Sequence, residues 1–511
     1  MGLGRRIAAT LLLAALWLPA ATPAGADTIW PTKAWETSTP EEQGLDSAAL
    51  ARLVEAVGRY RQDSLLIVRH GRIVLDVSYA PYEPGITHDL RSITKSVTGT
   101  LTAIELRDGL LDSVDHPVVD LFADKHIDNL DDRKRAITVQ TMLDMTSGIA
   151  WKEKAYTPDE SIMQMYRSAD RAEFVLSQPM AHTPGTQFYY NSGNPYVLSA
   201  LITRKTGETA LAYAQHVLFA PLGITSAKWG KPDAQGVSDG EAGLFLAPHD
   251  MARLGYLYLH DGEWDGQQII PASWVARARQ GPVTAFDGFH YGNLWWSRPE
   301  QGAFMALGRH SQVILVIPRL DVVAVMTGYL EDNVYYPMDS LIADIAGAVR
   351  SDGPAAADAV ARSLLQAAIR HAGAPPPAPV GAVPAMAQAI SGRVYAIEDN
   401  LLRVKTLSLD LVGPDPSWEA MAFTRKSDAS PTRYGGALGL DGVFRRSILP
   451  AGEIQVARGR WLSERRFLLE RRILGHGETD SLTFTFEGNR VEAVYENTDG
   501  FKAELHGEAK D

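Results

Sequence analysis

The chain has 511 residues, of which 45% are hydrophobic and 22% are charged, so it can bury a sizeable core in roughly three structural units. Its formal net charge of −12 argues against a nucleic-acid backbone or an anionic membrane surface as a partner. Because the chain contains no cysteine, disulfides, thiolate nucleophiles and thiolate metal ligands are excluded.

The N-terminal segment has the features of an export signal. Arg5 and Arg6 precede the short apolar run Ile7–Leu18, and Ala24-Gly25-Ala26 forms a small-residue cleavage site. The run is shorter than the ~20 residues that a membrane-spanning helix needs. We therefore expect residues 1–26 to be a cleaved signal peptide. The mature protein is then periplasmic or secreted, with no membrane span after cleavage.

Helical and strand patterns follow in an order that indicates one domain. Residues 45–60 have apolar side chains at helical spacing, and a second helical pattern runs from Ser92 to Asp108. Four short apolar runs are predicted strands: 64–68, 73–77, 313–317 and 322–326. Two early strands, a helical middle and two late strands predict an α+β domain over residues 27–372. Its antiparallel sheet would join both ends of the segment and be flanked by helices.

A change of composition near residue 373 marks the end of this domain. The run Gly373-Ala374-Pro375-Pro376-Pro377-Ala378-Pro379 stays extended and packs poorly, which predicts a linker over residues 373–384. Beyond it, apolar and polar residues alternate in short runs near 392–397, 402–411, 466–473 and 482–486. We expect residues 385–511 to form a small antiparallel β domain. The sequence leaves open whether it is a binding module or a stabilising lid.

The first candidates for chemistry are Ser92 and Lys95, at the start of the second predicted helix. A spacing of three residues places both side chains on one face, one turn apart. A serine hydroxyl is a poor nucleophile unless a nearby group takes its proton, and a buried lysine beside a helix N-terminus has its neutral, basic form favoured. The backbone N–H groups at that N-terminus also favour a developing anion. The pattern indicates a nucleophile with its proton acceptor.

A tyrosine is the third candidate. Tyr189-Tyr190-Asn191 precedes a helical pattern over residues 195–206. A phenol near positive charge can act as a general base, and Asn191 could donate a hydrogen bond to the substrate or to the lysine network. Two other Tyr-x-Asn sequences begin at Tyr291 and Tyr495, but one lies beside two tryptophans and the other in the predicted β domain. Order and surroundings therefore favour Tyr189.

Several segments resemble a known superfamily in the order in which that superfamily has them. They are Leu90-Arg91-Ser92-Ile93-Thr94-Lys95-Ser96, Thr141-Met142-Leu143-Asp144-Met145-Thr146-Ser147-Gly148, Pro184-Gly185-Thr186, Pro221-Leu222-Gly223-Ile224, Gly243-Leu244-Phe245-Leu246-Ala247-Pro248-His249-Asp250-Met251-Ala252 and Ile317-Pro318. Over residues 35–350 the chain resembles class C β-lactamase-related serine hydrolases, most of all 6-aminohexanoate-dimer hydrolases and family VIII carboxylesterases. The resemblance implies a β-lactamase/transpeptidase-like fold. It assigns Ser92 as nucleophile, Lys95 as its partner and Tyr189 as general base, with Asn191 beside it.

The late strand departs from the pattern of that superfamily. Ala306 stands where a lysine or histidine often occurs, two residues before Gly308. The resemblance implies an oxyanion hole made by the backbone N–H groups of Ser92 and Arg309, and Gly308 permits close backbone approach. His310 either lines the pocket or is satisfied by ordinary packing.

These patterns predict a serine hydrolase that cleaves a small-molecule ester or amide through an acyl-enzyme on Ser92. A β-lactamase or D,D-peptidase is an alternative, but Ala306 cannot bind the carboxylate of such substrates, unless Arg309 points inward and replaces the missing cation. A catalytically silent binding or sensor protein on the same fold is a second alternative. No metal or cofactor is predicted, and the sequence does not determine the oligomeric state.

Overall fold

The structure is a computed structural model that describes residues 28–331, 334–381, 383–425 and 427–510. The predicted signal peptide, residues 1–26, lies outside the described residues. None of the described helices is both long enough and apolar enough to cross a lipid bilayer.

A large sheet forms the centre of the first domain. Among the described residues its strands lie in the spatial order Glu36–Thr37, Arg72–Ser78, Gln62–Arg69, Val322–Gly328, Gln312–Ile317, Ala303–Gly308, Trp295–Arg298, His290–Gly292 and Val283–Thr284. The first pair is parallel and the other pairs are antiparallel. Ala324 pairs with Ile67, so the early hairpin and the late strands share one sheet. This confirms the predicted α+β fold class.

Helices cover both faces of this sheet and create two separate cores. Apolar side chains alternate between the two faces of each strand, so the fully buried strand Gln62–Arg69 contributes to both cores. One face is covered by Ser47–Gly58, Met338–Ala348 and Ala359–Gly373. The other face carries Ile93–Arg107, Val118–Leu121, Asp132–Arg135, Val139–Leu143, Ser161–Arg167, Arg171–Ser177, Gly193–Thr206, Ala210–Ala214, Ala220–Leu222, Pro248–Leu259 and Ala272–Gln280. Two small separate sheets complete this domain. One consists of His88–Asp89, Leu244–Leu246 and Lys228–Trp229, and the other of Glu263–Trp264 and Gln267–Gln268.

The helix Ile93–Arg107 lies inside the core on this second face, and we call it the nucleophile helix after the predicted role of Ser92. Its side chains are buried on every side from Ile93 to Glu105, as expected for a central helix. Ser92 occupies its N-cap position. The preceding Arg91 has a left-handed backbone (φ 51°), and its N–H donates to Asp89 Oδ1 at 3.0 Å. This turn presents Ser92 at the end of the helix.

The C-terminal β domain is a ten-stranded antiparallel meander in the described part of the chain. Its strands are Val394–Ile397, Val404–Asp410, Ser417–Ala422, Thr432–Ala437, Arg445–Ile448, Ile454–Trp461, Arg466–Ile473, Thr479–Glu487, Arg490–Asn497 and Lys502–Ala509. The first strand pairs with the last, and Ala437 N–H donates to Ser447 Oγ at 3.0 Å across the remaining gap. The sheet therefore curls into a barrel around its own apolar core, and we call it the C-terminal barrel. The short helix Ala385–Ile390 precedes it.

A buried ion pair joins the C-terminal barrel to the large sheet. Arg472 Nη2 donates to both carboxylate oxygens of Asp63 at 2.8 and 3.0 Å, and both side chains are fully buried. His88 Nε2 lies 2.9 Å from the same carboxylate. The Arg472 guanidinium also lies over the Tyr329 ring at 3.2 Å. Charges are buried at such cost only when they are paired, so this contact ties the barrel to the first domain in a defined place.

Candidate active site

The structure brings Ser92 and Lys95 together at the start of the nucleophile helix. Lys95 Nζ lies 2.9 Å from Ser92 Oγ and 3.0 Å from the carbonyl oxygen of Glu241. Lys95 is only 3% exposed, whereas Ser92 is partly exposed and can be reached by a substrate. The spacing of three residues within one helix therefore produces the predicted pair of an accessible hydroxyl and a buried amine.

The tyrosine beside this pair is Tyr190, not the predicted Tyr189. The Tyr190 phenol lies near enough to the Ser92 hydroxyl for this hydroxyl to oppose the rise in its pKa, and Lys95 Nζ lies 5.1 Å from the centre of the Tyr190 ring. The Tyr189 hydroxyl instead donates to the carbonyl oxygen of Trp151 at 2.5 Å. Neighbouring side chains of a chain that is not helical point to different sides, so only one of the two tyrosines can face Ser92.

The donor role of Asn191 stays a prediction, because its Nδ2 is buried without a hydrogen-bond partner among the described residues. Asn191 is completely buried, and its Oδ1 accepts the backbone N–H of Gly193 at 2.7 Å, at the start of the following helix. The next residue, Ser192, is linked to the site through Glu153. Ser192 Oγ donates to Glu153 Oε1 at 3.0 Å, and Ser192 N–H donates to Glu153 Oε2 at 3.0 Å. Asn191 Oδ1 thus holds the start of the following helix, and Ser192 holds Glu153.

Two carboxyl groups, the partly exposed Glu153 and the buried Glu241, act on the charge of Lys95. Burial lowers the pKa of Lys95, and the charges of Glu153 and Glu241 oppose this shift without reversing it. Burial, together with the charge of Asp239, raises the pKa of Glu241 to about 8. Burial also raises the pKa of Glu153. The surroundings therefore favour a neutral, basic amine on Lys95.

Burial has the opposite effect on the pKa of Tyr190. It raises the pKa of the Tyr190 phenol, so this group keeps its proton in the resting site. A neutral amine accepts a proton, and a neutral phenol donates one. The arrangement can therefore remove the Ser92 proton through Lys95 and supply a proton through Tyr190.

The late strand passes close to the nucleophile, as an oxyanion hole requires. A Cβ atom added to Gly308 would lie 2.2 Å from the carbonyl oxygen of Leu90 and 3.2 Å from the Arg91 side chain. Only glycine permits this approach, which sets the residue after it beside the segment that contains Ser92. The backbone N–H groups of Ser92 and Arg309 are accordingly the candidates for stabilising negative charge on a substrate oxygen.

Arg309 and His310 lie at the boundary between this strand and the C-terminal barrel. The Arg309 guanidinium lies over the Tyr156 ring at 4.4 Å, and its charge acts on both Lys95 and Tyr190. The charge of Arg309 therefore acts at the site. His310 is completely buried and does not line a pocket, since its Nδ1 lies 2.7 Å from the carbonyl oxygen of Leu330.

One group of side chains has the residue types of a metal site. Ligand atoms of His310, Glu478 and Asp499 all lie within 4.8 Å of one another. The two carboxylates are already paired with Arg91 and Arg309. Because those two cations would repel a metal ion, the group fits an ion-pair cluster better than a metal centre.

Sequence reasoning missed Tyr190, Glu153 and Glu241. The tyrosine doublet contained a signal for Tyr190, since either ring could face the serine, but nothing in the sequence separates the two. Glu153 and Glu241 follow no recognisable sequence motif, and only the fold brings their charges close enough to act on Lys95.

Comparisons with known proteins show the family of this chain and the similarity of its fold to solved structures. A model of the family described as Beta-lactamase matches residues 50–336, more than half of the chain. The chain is 26% identical over 317 residues to a 6-aminohexanoate-dimer hydrolase from Paenarthrobacter ureafaciens, which covers 57% of this chain and 79% of that protein. A crystal structure named "putative beta-lactamase from Bacteroides dorei DSM 17855" is 17% identical with a TM-score of 0.50, over 60% of this chain and all 100% of the other. A family VIII carboxylesterase structure is 14% identical with a TM-score of 0.47, over 61% of this chain and 98% of that one. At these identities, the similarity to solved structures concerns the fold alone.

Proposed function

Because the chain belongs to the beta-lactamase family, whose members are serine hydrolases with amide-hydrolase and esterase relatives, we propose that it hydrolyses an ester or amide bond of a small molecule. The reaction passes through an acyl-enzyme on Ser92. The observation that carries the proposal is the partly exposed Ser92 hydroxyl 2.9 Å from the buried amine of Lys95, with the half-buried Tyr190 phenol beside both. A protein that only binds its ligand does not require a serine hydroxyl beside a proton acceptor.

In the acylation step, Ser92 Oγ attacks the carbonyl carbon while its proton moves to Lys95 Nζ. Backbone N–H groups of Ser92 and Arg309 stabilise the oxyanion, and the Tyr190 phenol donates a proton to the departing alcohol or amine. Lys95 then returns its proton to Tyr190. In deacylation the same groups act in reverse, and water replaces the leaving group.

A fluorophosphonate probe tests the nucleophile directly, because it reacts with activated serines. We expect labelling of the wild type and none of Ser92→Ala. The matched control is Ser96→Ala, because Ser96 lies in the same helix, is buried, and donates its hydroxyl to the carbonyl oxygen of Leu294 rather than contacting Lys95. This control should be labelled like the wild type. Equal labelling of Ser92→Ala would refute the assignment, and an unlabelled wild type would favour a silent binding protein.

A second candidate function is supported by the position of Arg309. Its charge acts on Lys95, so the guanidinium could bind a carboxylate on the substrate, as β-lactams and D,D-peptides require. Asp499 lies 3.2 Å from Arg309 Nη2 and neutralises much of this charge, so we favour substrates without a carboxylate. A panel of p-nitrophenyl esters, a short linear amide and a chromogenic cephalosporin separates the two. Faster turnover of the cephalosporin would reverse the preference.

A further inference from the structure

Two turns of the C-terminal barrel reach the segment that carries the nucleophile. The first, residues 474–478, contains Gly475 and Gly477. The carbonyl oxygen of Gly475 accepts the N–H of Asp89 at 2.7 Å. A Cβ atom on Gly475 would lie 2.2 Å from the carbonyl oxygen of Thr87, and one on Gly477 would lie 2.4 Å from the His310 ring. Glycine at both positions therefore lets this turn pack directly against the segment before Ser92 and against the turn that contains His310.

The first turn ends in Glu478, which pairs with Arg91. Glu478 Oε1 contacts Arg91 Nη2, while Asp89 Oδ2 lies 3.3 Å from Arg91 Nε. Burial opposes ionisation of Glu478, but the charge of Arg91 outweighs it and lowers the pKa of this carboxyl. Arg91 immediately precedes Ser92 and has a left-handed backbone, which costs energy in a residue other than glycine. Contacts on both sides of the guanidinium hold this residue in place.

The second turn, residues 498–501, carries Asp499 to the other side of the site. Asp499 Oδ1 lies 3.2 Å from Arg309 Nη2 and 3.2 Å from His310 Nε2. His310 and Ser311 both have left-handed backbones, with φ of 63° and 70°. A single carboxylate from the barrel therefore holds the turn that places the Arg309 N–H.

The two acidic residues thus act on the two backbone segments that would form the oxyanion hole. We propose that Glu478 and Asp499 are positioning residues of the active site, so that the C-terminal barrel completes it rather than only stabilising the protein. The inference rests on the proposed function, since it concerns the rate of the same reaction. An oxyanion hole acts mainly in the transition state, so its displacement lowers kcat more than it raises KM.

The test is steady-state kinetics of Glu478→Gln, Asp499→Asn and the double variant on the best ester of the panel. We expect kcat to fall about 10-fold to 100-fold in each single variant, with KM changed less than about threefold. Glu478→Asp and Asp499→Glu keep the charge and should retain more of kcat than the amide variants.

The matched control is Glu83→Gln. Glu83 also forms an ion pair across the domain boundary, 3.6 Å from Arg446, but this pair is half exposed and does not touch the strands around Ser92. It should leave kcat unchanged. Wild-type kcat in both amide variants would overturn the inference. If the amide variants fail to fold, kcat of Gly477→Ala tests the inference instead. The added Cβ displaces the His310 ring, which contacts Asp499. A loss of kcat supports the inference and a normal kcat refutes it.

Failure of this inference differs from failure of the proposed function. If Ser92 is not the nucleophile, fluorophosphonate labels Ser92→Ala as strongly as it labels the wild type. If only the inference is wrong, labelling depends on Ser92 while the barrel variants turn over normally.

Discussion

The adjacent tyrosines offer a matched pair of variants that separates proton transfer from packing. Tyr190→Phe removes the hydroxyl that lies near Ser92 and leaves the ring beside Lys95. Tyr189→Phe is the same chemical change one residue earlier, and it removes only the hydrogen bond to the Trp151 carbonyl oxygen. Because ring volume is kept in both, neither variant should create a cavity.

The expected magnitudes follow from these contacts. Losing a general acid or base typically costs 10²–10⁴ in rate, so we expect kcat of Tyr190→Phe to fall at least ~100-fold, which corresponds to about 2.7 kcal/mol. Tyr189→Phe should lose about 1 kcal/mol of stability with its hydrogen bond and keep kcat within about tenfold of the wild type.

The assay is the pH dependence of kcat/KM on one p-nitrophenyl ester, with thermal melting as a check on folding. In the wild type the rate should rise with pH as Lys95 loses its proton, below the pH at which an ordinary lysine titrates, because burial lowers the pKa of this amine. Tyr190→Phe should keep this acid limb at a lower rate. A larger loss in Tyr189→Phe than in Tyr190→Phe would refute the assignment, and normal rates in both would make Lys95 sufficient alone.

Two further predictions concern the nucleophile helix and the late strand. Burial raises the pKa of Glu105 from 4.5 to about 8, so its ionised form is penalised only in the folded state. Denaturant titrations should therefore show the unfolding free energy of the wild type falling relative to Glu105→Gln as pH rises from about 5 to 8, by on the order of 4 kcal/mol, and a difference independent of pH would contradict this. Gly308→Ala places a Cβ atom 2.2 Å from the carbonyl oxygen of Leu90 and should lower kcat about 100-fold in the ester assay, whereas Gly347→Ala, which meets no neighbour within 4 Å, should have no effect. Unchanged kcat in Gly308→Ala would show that this strand does not form the oxyanion hole.

Local patterns in the sequence predicted most of the elements. The helix expected over residues 45–60 is found at Ser47–Gly58, and the one expected from Ser92 to Asp108 is found at Ile93–Arg107. The runs at 313–317 and 322–326 are strands, joined to the early hairpin as expected. These predictions succeed because side-chain periodicity is decided within a few residues by burial of one face. The signal peptide and export stay predictions.

The sequence by itself determined the Ser92–Lys95 pair, because one turn of helix fixes the relative position of residues three apart. Only the tertiary structure decided which tyrosine faces that pair, which carboxyl groups surround it, and what the C-terminal barrel contacts. Tyr190, Glu241 and Glu478 come from segments far apart along the chain, and their positions depend on the packing of whole elements. No local pattern encodes such distances, since the free energy that sets them comes from burial and ion pairing between distant parts of the protein.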